Sequence, residues 1–168
     1  MDTSFYEKLL SAAFRFVSYR PRSEREIRDF LERKLKTWKV AGRVSVTKAL
    51  QRLGEYGYVD DRKFAVWWVS QRSAFRPKGV RALKAELFNK GVPRTIVEDI
   101  LSRGDQNAEQ FDETAGARKV IQKKLIIWAQ NPIIEQKKKV YTYLAQRGFS
   151  SGTIEKIIDE LVKKDYNE

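Results

Sequence analysis

An internal repeat limits what this chain can fold into more than any other feature of its sequence. The apolar pattern of residues 83–101 returns 57 positions later, and the two copies align without a gap. Self-similarity at such a period is typical of chains built from stacked structural units. The matched pairs are Leu83 with Val140, Leu87 with Leu144, Lys90-Gly91 with Arg147-Gly148, Val92 with Phe149, Val97 with Ile154, Glu98 with Glu155, and Ile100-Leu101 with Ile157-Ile158.

Apolar residues within each copy recur at i, i+3, i+4 and i+7, the spacing that puts them on one face of an α-helix. The same spacing along the rest of the chain predicts nine helices and no strands. Ser23 and Glu26 have the spacing of a capping box at a helix start. Gly91 and Gly148 stand where a helix should end. The chain is therefore predicted to be all-α.

We expect three tandem three-helix repeats that form an elongated, curved array. The predicted repeats are residues 1–58, 59–103 and 114–168, and residues 104–113 are the predicted linker because they contain no Lys or Arg and few apolar positions. The first repeat fits less well, since residues 36–43 have no counterpart in the other two. Three loosely joined bundles with no common face are the alternative arrangement.

The charge balance points to an anionic partner. Lys and Arg number 34 against 22 Asp and Glu, which gives a formal net charge of +12. Self-repulsion at this charge opposes a compact fold, so we expect binding to nucleic acid or to a protein assembly coated with acidic groups. A basic protein without such a partner is the alternative.

Several classes of chemistry are excluded by composition. The chain has no Cys and no His, which rules out disulfides, Cys/His zinc sites and His-based acid–base catalysis. No apolar run reaches the roughly 20 residues of a membrane span, and the first residues carry acids where a signal peptide carries Lys or Arg. We expect a cytoplasmic, monomeric protein with no cofactor, no metal and no enzymatic activity.

Acidic residues offer one weak candidate for catalysis. Asp60 and Asp61 are adjacent just before a predicted helix, where a helix cap and a first-turn acid are the simpler interpretation. A metal-dependent nuclease that uses Asp60, Asp61 and Glu86 is the competing hypothesis. It predicts divalent-dependent turnover that Asp60→Ala abolishes.

Three basic clusters are the candidate binding residues. The first packs five cations into thirteen residues with no acid among them, so mutual repulsion is expected within it. Arg is prominent in these clusters, and its planar fork suits carboxylates and phosphates. An ordinary solvated face remains the alternative for each cluster. The clusters are Arg72, Arg76, Lys78, Arg81 and Lys84; Arg20, Arg22, Arg25 and Arg28; and Lys137, Lys138 and Lys139.

Trp67 is a separate candidate. It lies at the edge of the apolar face that Phe64, Ala65, Trp68 and Val69 form on one helix. Its indole can stack on a nucleic-acid base or fill a pocket of a partner. Packing between neighbouring repeats is the simpler alternative.

The motifs of the middle repeat resemble those of the RecX family. Upstream, Arg20-Pro21-Arg22-Ser23 with Glu26-Ile27 and Leu31 is similar to the family's opening motif, and residues 140–161 are similar to its C-terminal repeat. The middle motifs are Tyr58-Val59-Asp60-Asp61, Phe64-Ala65, Trp68-Val69, Arg72, Gly79, Arg81-Ala82-Leu83, Glu86-Leu87 and Lys90-Gly91-Val92.

The resemblance implies a fold of three tandem three-helix repeats and a regulator of RecA recombinase. Such a regulator would lie in the groove of the RecA filament on single-stranded DNA and limit filament growth, ATPase and strand exchange in DNA repair, recombination and the SOS response. One departure concerns the segment after the second helix, where the family has a short Lys-Gly turn and this chain has Lys34–Lys39. A general helical DNA-binding protein without a recombinase partner remains the alternative, and it predicts tight binding to bare DNA in physiological salt.

Overall fold

The computed structural model describes residues 3–103 and 111–165, and every regular element within them is an α-helix. The prediction of an all-α chain is therefore confirmed. None of the described helices combines the length and the apolarity that a bilayer span requires. The helices are α1 (Thr3–Ser18), α2 (Glu24–Trp38), α3 (Arg43–Glu55), α4 (Asp61–Phe75), α5 (Val80–Asn89), α6 (Arg94–Arg103), α7 (Glu113–Trp128), α8 (Ile133–Gln146) and α9 (Ser151–Asp165).

The start of α2 has the predicted capping box. The Ser23 hydroxyl accepts the backbone N–H of Glu26 at 3.2 Å, and the Glu26 carboxylate accepts the N–H of Ser23 at 3.4 Å. These two bonds satisfy helix-start donors that have no partner within the helix. The box therefore fixes where α2 begins.

Gly91 and Gly148 end α5 and α8 as predicted, and both are in the left-handed region with φ of 79° and 77°. The N–H that follows each Gly bonds to a carbonyl five residues back, which closes the helix. Helix α2 ends in the same way without a glycine, because Lys39 adopts φ 56° and the N–H of Val40 reaches Leu35. The long segment after α2 is thus an extension of the helix to Trp38.

The chain divides into two compact units. The first unit ends at Trp67 and also takes in Leu87–Val97. In it, α1, α2 and α3 pack against one another pairwise. Burial of their apolar faces drives this packing. Its fully buried side chains include Leu9, Ala13, Ile27, Leu31, Ala49 and Leu53.

The second unit comprises Trp68–Glu86 and the chain from Glu98 onward. Its helices α7, α8 and α9 also pack pairwise around one core. The buried residues are Ala117, Ile121, Val140, Leu144, Phe149, Ile154 and Ile157.

Each unit contains a helix start that is docked on a helix end. In the first unit, the Ser23 hydroxyl donates to the carbonyl of Lys90 at 2.7 Å. In the second, the N–H of Gly79 donates to the carbonyl of Arg147 at 3.1 Å, and the N–H of Arg81 donates to Gly148 at 3.0 Å. Lys90 and Arg147 are partners in the 57-residue repeat, so the internal repeat of the sequence is also a repeat of contacts.

The predicted boundaries of the three repeats stay predictions. Residues 104–110 of the predicted linker lie outside the described residues, and α7 already begins at Glu113. Glu113 itself is half-buried and strongly bonded. Its carboxylate accepts the N–H of Val80 at 2.8 Å, the N–H and hydroxyl of Ser150 at 3.0 and 2.6 Å, and the hydroxyl of Thr153 at 2.7 Å.

Candidate functional site

Glu86, which lies on α5 in the second unit, binds two of the five residues of the first basic cluster. Its carboxylate accepts the indole N–H of Trp68 at 2.8 Å, the Nε–H of Arg72 at 2.8 Å and the ammonium of Lys78 at 2.5 Å. Burial alone would raise the pKa of Glu86, but the hydrogen bonds from Lys78, Trp68 and Arg72 lower it below its usual value. The expectation that the five cations only repel one another is therefore wrong for Arg72 and Lys78, which share Glu86 as an ion-pair partner.

Three cations of this cluster remain available to contact an anionic partner. Arg76 and Arg81 are exposed and Lys84 is half-exposed, and none of the three side chains forms an ion pair or hydrogen bond within the described part of the chain. Their backbones are fixed, since the N–H of Arg76 bonds to the carbonyl of Arg72 and that of Arg81 to Gly148. We name Arg76, Arg81 and Lys84 the α5 cation group. Fixed backbones with unpaired cationic ends suit contact with a polyanion.

The structure adds two cations that sequence reasoning missed. The Lys119 ammonium donates to the carbonyl of Ala74 at 2.6 Å, which places it at the C-terminal end of α4. Arg147 meets Gly79 through its carbonyl, and its guanidinium lies 3.7 Å from the centroid of the Tyr143 ring. The repeat aligned Arg147 with Lys90, but it gave no sign that Arg147 would lie beside the start of α5.

The second basic cluster is largely paired within the first unit. Arg20 makes two bonds to the Glu26 carboxylate, at 2.9 and 3.2 Å, and the Lys90 ammonium makes a third at 2.6 Å. Arg28 pairs with Glu24 at 2.6 Å. Burial opposes the ionisation of Glu26, yet the bonds from Arg20 and Lys90 lower its pKa. Arg20 and Arg28 are thus already in ion pairs with residues of α2.

Arg22 and Arg25 of this cluster line a polar pocket of about 330 Å³. The Arg22 guanidinium lies 4.0 Å from the centroid of the Phe16 ring. Burial, and then the neighbouring charge of Arg20, lower the pKa of Arg22, although Glu26 counteracts them. The pocket is lined by Phe16, Arg22, Arg25, Glu26, Asp29, Arg33, Asn89 and Lys90.

Trp67 is half-buried within the first unit. The Arg20 guanidinium lies 5.6 Å from the centroid of its ring, and the Phe64 ring lies 6.1 Å away at an angle of 40°. A cation over the indole face is an attractive arrangement. Trp67 therefore helps to hold Arg20 where it meets Glu26.

The third basic cluster lies on α8. Lys138 is exposed, and Lys137 and Lys139 are half-exposed. Lys138 and Lys139 lie at the rim of a pocket of about 600 Å³, which Lys137 does not line. We name it the α7–α8 pocket. Its lining is Trp128, Glu135, Lys138, Lys139, Thr142, Tyr143 and Gln146.

The acidic candidates have structural roles in the described chain. Asp60 accepts the N–H of Lys63 at 2.9 Å and so caps α4, as the simpler interpretation predicted. Asp61 accepts the N–H of Glu24 at 2.9 Å, at the start of α2. Burial raises the pKa of Asp61; the hydrogen bond from the Glu24 backbone opposes this rise, and the charges of Glu24 and Asp60 add to it. Within residues 3–103 and 111–165, no three acidic side chains are grouped as a metal site would require.

Comparison with known proteins identifies the same family by sequence and by structure. The second three-helix domain of RecX matches residues 60–101, and its third three-helix domain matches residues 112–158. The chain is 32% identical to the regulatory protein RecX of Chlorobium phaeobacteroides, over 94% of this chain and 95% of that protein. It is 31% identical to the regulatory protein RecX of Prosthecochloris aestuarii, over 96% of this chain and 99% of that protein.

Two solved structures share the fold. The crystal structure of RecX from Lactobacillus salivarius superposes with a TM-score of 0.76 at 22% identity, and the match covers 93% of this chain and 96% of that one. A crystal structure of regulatory protein RecX gives a TM-score of 0.72 at 25% identity, over 92% of this chain and 73% of that one. The sequence identity over nearly the full length of two relatives and the two matched domains lead to one conclusion: this chain belongs to the RecX family of regulatory proteins.

Proposed function

We propose that this protein regulates RecA recombinase by binding the RecA filament on single-stranded DNA, where it limits filament growth, ATPase activity and strand exchange. The observation that carries the proposal is its similarity, over nearly its whole length, to proteins named regulatory protein RecX. We expect it to act as a monomer in the cytoplasm.

The charge of the chain supports binding to a polyanionic assembly. The formal net charge is +12, and the α5 cation group has no internal ion-pair partner in the described chain. Cations that are fixed at the backbone and unpaired at the tip gain most from phosphates or carboxylates brought to them. We therefore propose the α5 cation group as the main filament contact, with Lys119 and Arg147 beside it.

A protein that regulates the recombinase by binding to its filament needs no catalytic site. The acids that a nuclease would use are engaged otherwise, since Asp60 and Asp61 hold backbone N–H groups and Glu86 holds three donors. We accordingly propose that the protein alters the recombinase by where it binds and not by turnover of DNA or nucleotide.

The test is RecA ATPase on single-stranded DNA with the protein added at substoichiometric ratios. The proposal expects the rate to fall and filament extension to stop, because a bound regulator blocks the addition of further subunits. An unchanged ATPase combined with tight binding to bare DNA in physiological salt would support a general DNA-binding protein instead. Divalent-dependent DNA hydrolysis that Asp60→Ala abolishes would support a nuclease.

A further inference from the structure

The α7–α8 pocket is built from one stripe of α8 and the last residue of α7. Residues 135, 138, 139, 142, 143 and 146 recur at helical spacing, so they share one side of α8. Trp128 faces them from the end of α7. The volume of about 600 Å³ falls in the ~300–1,000 Å³ range of ligand-binding clefts.

Two aromatic rings form the apolar part of the pocket. Trp128 and Tyr143 are half-buried, and their ring centroids lie 5.8 Å apart at an angle of 83°. Both rings pack against the core of the second unit, which fixes their positions. Arg147 and Lys124 already lie over the Tyr143 ring, at 3.7 and 5.8 Å from its centroid. Within the described residues no cation lies over Trp128, so its indole is the ring surface open to a ligand.

The turn between α7 and α8 is held in place. Gln136 is buried, and its amide donates to the carbonyl of Asn131 at 2.8 Å. The Asn131 amide in turn donates to the Glu135 carboxylate at 2.9 Å. Glu135 keeps its negative charge at the pocket, and the two positive charges of Lys138 and Lys139 outweigh it, so the rim is cationic on balance.

An aromatic floor with a cationic rim matches one class of ligand. Single-stranded nucleic acid presents an unstacked, apolar base beside an anionic phosphate, whereas a duplex hides its bases. A second copy of this chain fits poorly, because it brings the same +12 net charge to a lysine-lined rim. The charge complementarity favours single-stranded DNA.

We propose that the α7–α8 pocket receives an unpaired base of single-stranded DNA, which stacks on Trp128 while Lys138 and Lys139 contact the flanking phosphates. This inference deepens the proposed function, since it assigns the DNA strand to helices α7 and α8 and leaves the α5 cation group for the rest of the filament. Stacking on an aromatic side chain is tolerant of sequence because every base has a π-face. The site is therefore expected to hold a strand without reading it.

The experiment compares two oligonucleotides of equal length and charge, one of thymidylate and one abasic, in the absence of RecA. Binding is measured by fluorescence anisotropy at low salt. The wild-type protein should bind the thymidylate strand about tenfold more tightly, since base stacking on an aromatic ring contributes that order of affinity. Trp128→Ala should remove the difference, and Trp128→Phe should retain part of it. Lys138→Gln with Lys139→Gln should weaken binding to both strands equally.

Tyr141→Ala is the matched aromatic control, because Tyr141 is 53% exposed on the same helix but does not line the pocket. It should leave the preference for thymidylate intact, and circular dichroism checks that each variant is folded. Equal wild-type affinity for the two strands, or an equal loss in Tyr141→Ala, would overturn the proposal. So would self-association of the wild type that Trp128→Ala abolishes. Because RecA is absent, either result is independent of the ATPase test of the proposed function.

Discussion

The backbone N–H of Gly79 donates to the carbonyl of Arg147 at 3.1 Å, so the start of α5 lies against the turn that follows α8. The approach is close enough that a Cβ on residue 79 would stand 2.1 Å from the Cα of Phe149. The contact is between two backbones, and a side-chain rotation cannot relieve it. Glycine at this position therefore permits the junction.

We predict that Gly79→Ala destabilises the protein by about 1–3 kcal/mol or more, because overpacking against backbone forces the two helices apart. Urea denaturation at neutral pH measures the free energy of unfolding. Gly152→Ala is the control, since a Cβ there meets nothing within 4 Å on helix α9. That variant should be as stable as the wild type or slightly more stable. Equal stability of the two variants would show that α5 can move off α8 without loss.

Replacement of Lys39 by Gly should stabilise the protein. Lys39 holds φ 56° at the end of α2, a conformation that costs a non-glycine residue roughly 1 kcal/mol. Lys39→Gly should recover part of that cost, seen as a higher urea midpoint. Lys36→Gly, in the last turn of the same helix, should instead lower the midpoint by a comparable amount. A loss of stability in Lys39→Gly would mean that the Lys39 side chain has a stabilising contact.

Stability should fall in acid through Glu86. Its pKa is lowered in the folded state, so its contribution is present above the unfolded value of about 4.3 and is lost as pH falls through the folded pKa. Glu86→Gln should cost about 2 kcal/mol at pH 7, given that hydrogen bonds to charged groups contribute roughly 1.5–3 kcal/mol. It should also reduce the loss between neutral and acidic pH, measured by thermal melting. Parallel pH profiles for wild type and variant would contradict this role.

Charge reversal in the α5 cation group should weaken filament binding. Arg76→Glu with Arg81→Glu leaves the helices intact, because both side chains are exposed and unpaired within the described chain. Exposed contacts contribute up to about 1 kcal/mol each, so we expect roughly a tenfold loss of affinity for the RecA filament. ATPase inhibition as a function of protein concentration measures it.

The matched control is Lys48→Glu with Lys156→Glu, which changes the net charge equally at two exposed residues of α3 and α9. This control should lower filament affinity less than the Arg76 and Arg81 pair. Lys137→Glu with Lys138→Glu should also lower filament affinity less than the Arg76 and Arg81 pair. If the α8 variant loses regulation while the α5 variant keeps it, α8 is the main anchor.

Binding to naked single-stranded DNA should be weak and sensitive to salt. If Lys138 and Lys139 of the α7–α8 pocket each neutralise a phosphate, the logarithm of affinity should fall against the logarithm of salt concentration with a slope of about −1.4. Anisotropy titrations at several salt concentrations give the slope. A flat response would mean that the +12 charge serves a different purpose.

The helices could be predicted from the sequence because their signals are local. Ser23 and Glu26 are three residues apart, and Gly91 and Gly148 mark helix ends by their conformational freedom. The end of α2 could not be predicted, since Lys39 takes the left-handed conformation without the glycine that signals it. The continuation of the helix to Trp38 was visible only in the structure.

The candidate site could be predicted only as a set of charges. Arg72 and Lys78 lie fourteen and eight residues from Glu86, and no helical spacing joins them across the turn before α5. Which cations are neutralised depends on how these elements fold back on each other. The cluster could therefore be located from the sequence, but the subset that is unpaired within the described chain could not, and it is Arg76, Arg81 and Lys84.

The carboxylate of Glu113 has a consequence for how the protein can meet a phosphate. Helix N-termini are ready-made anion sites, but in this chain Glu113 already accepts the first amide of α5 and the amide just before α9. Ser23, Asp60 and Asp112 each accept one amide in the first turn of α2, α4 and α7. At these five helix starts a phosphate would have to displace a side chain that already accepts a backbone N–H. We therefore expect long, rotatable Arg and Lys side chains to hold a DNA strand, and such side chains can follow a strand that moves.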